Sequence, residues 1–157
     1  MARTAPRREQ VTVAELLVRS AGPRDRFGSE DTLVLPRARH REKPQVLRSL
    51  ARLRVICHEG EVAVEAGDTG RFVTVNTEFH AELARLAGNA VLAELAAIVG
   101  RRVRWYYRQV APVRGHESCA EHRDMVEAIA AGDAERASSI ARKHTERTRA
   151  AYHRPSA

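Results

Sequence analysis

Three glycine–polar pairs punctuate this chain: Gly67-Asp68, Gly88-Asn89 and Gly132-Asp133. A glycine suits the left-handed residue that closes a helix, and the Asp or Asn behind it can cap the next. Between these marks apolar residues recur at helical spacing. A first helix is predicted over Gln45–Glu65. The second carries Phe72, Val75, Phe79, Leu83 and Leu86 on one face, and the third Leu92, Leu95, Val99, Val103 and Tyr106. Pro112 is expected to end the third helix, with Pro112–Glu117 as a loop. Ser118-Cys119-Ala120-Glu121 then has capping-box spacing and opens a helix carrying His122, Met125, Val126 and Ile129. A last helix runs to about Tyr152 with Ala137, Ile140, Ala141 and His144 on its inner stripe. No stretch alternates with a period of two. The expected fold is all-α, an antiparallel helical bundle over residues 45–153.

Composition agrees with that reading. The 157 residues suit one domain, and a 43% hydrophobic content is enough for a core. Only 4% are aromatic, which favours helices packed on Ala, Leu and Val over a β-sandwich. The net charge of +7 is uneven: residues 1–60 hold 13 Lys+Arg and 7 Asp+Glu, and the remainder 14 and 13. Lys43 and Lys143 are the only lysines, an arginine bias that reflects GC-rich coding and weakens any inference from basicity to nucleic acid. Residues 1–44, rich in Arg, Pro, Gly and Ser, are expected to form an irregular basic segment. Cys57 and Cys119 stand alone, without the paired spacing of a zinc ribbon, which suits a reducing compartment. No apolar run is long enough to cross a membrane and Met1–Gln10 does not read as a signal peptide, so the expected location is the cytoplasm.

The chemistry-bearing residues are histidines. Of seven, His40, His58, His116 and His153 are expected in loops or near helix ends. His80, His122 and His144 each fall inside a predicted helix, on or beside its apolar stripe. Asn76 lies one turn before His80, on the same face. One such histidine is most simply a hydrogen-bonded core residue. Three on three core-facing stripes, with an amide oxygen beside them, are plausible ligands for a divalent transition metal in a bundle interior.

Asn76-Thr77-Glu78-Phe79-His80 followed by Ala87-Gly88-Asn89 resembles the signature of the FCD domain, the C-terminal effector-binding part of FadR-subfamily GntR transcription regulators. Glu121-His122, Glu127-Ala128-Ile129 and Gly132-Asp133-Ala134 are similar to a later stretch of that family, and His144 stands where its last helix carries a histidine. The resemblance covers about residues 46–152. It implies an FCD-like bundle incomplete at its N-terminus, with a metal held at Asn76, His80, His122 and His144. The implied metal is zinc, or nickel or a similar ion, with open positions toward a cavity where a small organic acid places its carboxylate. It also implies a homodimer, and DNA contact only through a winged-helix domain that no segment of this chain resembles. Asn76 replaces the commoner Asp, which removes a negative charge and is expected to weaken or redirect metal binding. The arginine that meets the effector in the family is not assigned; Arg104 and Arg108 are the candidates, against the simpler reading of solvated surface arginines.

The leading expectation is therefore a metal-anchored sensor domain without its own DNA reader, a remnant or one half of a split regulator whose residues 1–44 come from a shifted or degenerate frame. A second reading is a nucleic-acid-binding protein using Arg37, Arg39, His40, Arg41 and Lys43, although no aromatic platform or recognition helix accompanies them. A third is a small metal-dependent hydrolase. Its general base would be Glu121, next to His122, or Glu146, two residues past His144; neither spacing aims the carboxylate at the same face as its histidine.

Overall fold

The computed structural model describes residues 44–153 other than Asn89, and for Leu92, Val99, Arg102, Val103 and Tyr106 the backbone alone. The basic cluster Arg37–Lys43, the expected irregular segment and any DNA-reading element lie outside the described residues. Among the described residues four helices follow one another: α1 Pro44–Glu65, α2 Thr69–Leu86, α3 Ala90–Ala131 and α4 Ala134–Tyr152. Each packs on the next, and α3 also packs on α1. Connections of two or three residues leave antiparallel packing as the way to bury the apolar stripes of neighbours. The fold is the all-α bundle that the helical periodicity predicts.

The punctuation works as the sequence implies. Gly67, Gly88 and Gly132 all have positive φ. At two junctions a single aspartate serves both helices. The Asp68 N–H donates to the Ala63 carbonyl that ends α1, while its carboxylate accepts from the Arg71 N–H that begins α2. Asp133 repeats this between the Ala128 carbonyl and the Arg136 N–H. Pro44 occupies the first position of α1, where a missing N–H costs nothing.

The main departure is at Pro112. Instead of a loop followed by a new helix, α3 runs unbroken for 42 residues with Pro112 inside it. Ser118 is buried within that helix and its hydroxyl accepts from or donates to the Tyr107 hydroxyl at 2.9 Å, so no capping box forms. The reason is tertiary. Tyr107, Val110, Ala111, Arg114, Gly115, Ser118 and Cys119 form one buried stripe across the proline, while Pro112 and Arg108 are exposed, where water can serve the carbonyl that the proline leaves without a donor. Of the apolar stripe expected on α3, only Leu95 has a described side chain. Leu95 is 51% exposed, and the side chains of Leu92, Val99, Val103 and Tyr106 lie outside the described residues.

Among the described residues two larger apolar clusters fill the interior, with a small third one at Ala84. The first draws on all four helices, with Leu50, Leu53, Ile56 and Cys57 meeting Val75, Phe79, Leu83, Met125, Val126, Ala128, Ile129, Ala137 and Ala141. The second joins Ala63, Phe72, Val73, Tyr107, Val110, Ala111 and Cys119. At the second cluster α1 and α3 approach closely: a Cβ placed on Gly115 would lie 2.9 Å from Val64 Cγ2, whereas one on Gly100 meets nothing within 4 Å. Val64 is β-branched and has little freedom to yield. Gly115→Leu should therefore cost about 2–3 kcal/mol by overpacking. Gly100→Ala should instead add roughly 0.5–1 kcal/mol from helix propensity. Urea denaturation of the two variants checks the opposite signs.

Burial also raises three acidic groups in these clusters. It pushes the Cys57 thiol to about 12 and the Cys119 thiol to about 11, and the Tyr107 hydroxyl to about 12 against the opposing hydrogen bond with Ser118. The folded chain keeps these protons at pH values where the unfolded chain has lost them. Stability is therefore intact below about pH 9 and declines above it, by a few kcal/mol near pH 11. A urea midpoint that falls from pH 9 to pH 11 is the expected observation; a flat profile contradicts it.

Candidate metal centre

The polar residues of the interior fall between the two apolar clusters. On α3, His122 lies after Cys119 of one cluster and before Met125 of the other; on α4, His144 and Thr148 lie between Ala141 and Ala151. On α2, Asn76 sits one turn from Phe72 and His80 directly follows Phe79. The helical period thus brings one polar layer from three helices to the same level of the bundle.

Within that layer His80, His122 and His144 converge, with one ring nitrogen from each lying within 4.8 Å of the others. Ring centroids are 5.2 Å apart for His80–His122, 5.5 Å for His80–His144 and 4.8 Å for His122–His144. His122 is stacked on Phe79 at 3.9 Å, and Phe79 meets His80 edge-on at 5.4 Å. Burial drives His80 down to about 3, helped by the charge of His144. Burial likewise holds His122 well below the ordinary imidazole range, with His144, His80 and Arg114 adding to the effect. Neutral rings have a lone pair to give.

Besides Thr148 Oγ1, two atoms of the layer that could donate to a metal are buried without a hydrogen-bond partner, Asn76 Oδ1 and His122 Nε2. Burying an unsatisfied polar atom costs about 1–3 kcal/mol. A divalent cation would satisfy both, and a set of three imidazoles plus an amide oxygen suits a borderline ion such as zinc or nickel. The residues present therefore fit the metal that the sequence resemblance implies. His80, His122 and His144 are in direct proximity, and Asn76 is buried on α2 one turn before His80.

The remaining expectations divide. Arg104 is exposed and donates to Thr74 Oγ1 at 3.3 Å, and Arg108 is exposed. His58 and His116 lie inside helices rather than in loops, both exposed, and His153 caps α4. His40 lies outside the described residues. Glu146 is exposed on α4.

Glu121 behaves differently from either role expected of it. Its carboxylate neither caps a helix nor serves His122, but crosses to α4. Oε2 accepts from His144 Nδ1 at 2.8 Å and from Arg114 Nη2 at 2.6 Å, and Oε1 accepts from Arg147 Nη1 at 2.7 Å. Burial opposes its charge, but the hydrogen bonds from His144, Arg147 and Arg114 prevail and bring it to about 2. Arg114, only 4% exposed, also reaches Glu117. Sequence reading missed Arg114 because the expected loop at Pro112 removed it from any helix. The spacing Tyr107, Ala111, Arg114, Ser118, His122, read straight through the proline, would have placed it inward.

A scan against protein-family models matches the FCD domain over residues 36–147. Comparisons with curated proteins and with solved structures found no match. The matched span contains all four candidate ligands and most of the bundle that holds them, so this chain belongs to the FCD domain family, whose members are ligand-binding regulator domains of GntR-type transcription factors.

Proposed function

We propose that this bundle senses a small organic acid through a divalent transition metal, with zinc the leading ion, held by Asn76, His80, His122 and His144. The observation that supports this reading best is the convergence of three ring nitrogens within 4.8 Å, with the buried Nε2 of His122 lacking a hydrogen-bond partner. When bound, the metal supplies a Lewis-acidic anchor for a carboxylate oxygen. The protein's own residues provide ring-nitrogen donors, a dry apolar face in Phe79, and a layer that ties α2, α3 and α4 together. A ligand that binds one arrangement of these helices better than another shifts the population toward it. In an intact regulator this would reach a winged-helix reader in the cytoplasm. A homodimer fits the exposed row Val91, Leu95 and Ile98 on α3.

Binding is favoured over hydrolysis because Glu121 has both carboxylate oxygens engaged by Arg114, Arg147 and His144. A base so committed, and so acidic, is poorly suited to take a proton from water. The test is metal analysis of the purified chain with a thermal-shift screen of small mono- and dicarboxylic acids, metal-loaded and metal-free. One ion per chain and acid-dependent shifts confined to the loaded form are expected; no metal uptake overturns the reading. Asn76→Asp should raise zinc affinity by restoring a negative ligand, and equal affinities in calorimetric titration would count against that assignment.

A further inference from the structure

We infer that Glu121 is a positioning residue that fixes His144 in one tautomer and so decides which of its ring nitrogens can join His80 and His122. The inference rests on the metal-site reading for its purpose, but its geometry stands on the chain alone. Glu121 Oε2 lies 2.8 Å from His144 Nδ1, and the same carboxylate receives Arg114 and Arg147 at 2.6 and 2.7 Å. A carboxylate between two guanidinium groups is an acceptor only. His144 Nδ1 must therefore carry the hydrogen of this contact, and in the neutral ring Nε2 is left as the lone-pair nitrogen.

The arrangement is well braced. Arg114 is buried, and its guanidinium divides between Glu121 on the inside and Glu117, which is exposed. Arg147 reaches Glu121 from α4, one turn after His144. The Glu121 side chain is thus gripped from its own helix and from the helix whose histidine it orients. Outer partners of this kind set both ring orientation and ligand basicity, and losing one lowers metal affinity by about 10–100-fold. Glu121 itself is turned away from ligation, because both of its oxygens are already occupied.

Nitrogen-15 NMR of the metal-free full chain reads the tautomer directly. The wild type should show His144 protonated on Nδ1. Glu121→Gln, which replaces one acceptor oxygen by a donor, should give a mixture of tautomers and weaken zinc binding about tenfold. Glu117→Gln, which touches the same arginine but not the histidine, should leave both readouts unchanged. Circular dichroism follows the fold. If the buried glutamine disrupts it, Glu121→Asp, which keeps the charge but withdraws it by one methylene, should also yield mixed tautomers. A wild-type His144 protonated on Nε2 overturns the inference. So does a folded Glu121→Gln or Glu121→Asp chain with wild-type tautomer and affinity, or a Glu117→Gln chain as perturbed as Glu121→Gln. A wild type that binds no zinc yet shows the Nδ1–H tautomer overturns the metal reading and leaves the orientation standing.

Discussion

Replacing His122 with alanine is expected to abolish zinc uptake in a titration where the wild-type chain binds one ion. His122 is the buried centre of the layer: it contacts both other imidazoles, and its Nε2 has no protein partner. Its loss removes a direct donor, so affinity should fall by more than the roughly 100-fold that accompanies an outer partner. The same substitution should erase zinc-dependent stabilisation. For the wild type, zinc at about 100 times its dissociation constant adds roughly 2.7 kcal/mol. In a bundle of this size that corresponds to a Tm increase of roughly 10–20 °C. Without zinc the variant should differ less, because removing a buried unpaired nitrogen offsets part of the packing lost beside Phe79. A His122→Ala chain that retains wild-type zinc affinity would remove this residue from the site.

Phe79→Ala should be the most destabilising single change in the core, at about 3–5 kcal/mol. Phe79 is 1% exposed and stands where the first apolar cluster meets the polar layer, packed against His122 on its face and His80 at its edge. Truncation leaves a cavity that helical backbones on three sides cannot readily close. Against a typical total of about 5–15 kcal/mol, that loss brings the chain close to unfolding. Zinc binding should weaken as well, since two donor rings lose the surface that orients them. Urea denaturation measures the first effect and calorimetry the second; a stability loss under about 1 kcal/mol would show that the cluster collapses around the gap.

The approach of the three histidines is legible in the sequence, because a helix converts spacing into direction. Asn76 and His80 share a face at i, i+4. His122 and His144 lie on stripes with Ile129 and Ile140, and three core-facing histidines have few ways to avoid one another in a small bundle. Glu121 and Arg114 were not legible in this way. The partners of Glu121 on α4, His144 and Arg147, are 23 and 26 residues away, and nothing in the local sequence says that a carboxylate beside His122 will cross to another helix. Ser118 and Glu121 also matched a capping box, and that local pattern concealed their long-range roles.

What the sequence by itself determined are the features enforced within a few residues. These are the closing glycines at 67, 88 and 132, the two capping aspartates, and the apolar periods of α2 and α4. Backbone hydrogen bonds at helix ends must be satisfied nearby, so the residues that satisfy them are written nearby. What only the tertiary structure decided is the continuity of α3 through Pro112 and the charged brace behind His144. A proline costs a helix a bond locally, and a buried carboxylate is costly alone. Here the costs are offset from outside the segment, by burial of the stripe from Tyr107 to Cys119 and by two guanidinium groups converging on Glu121.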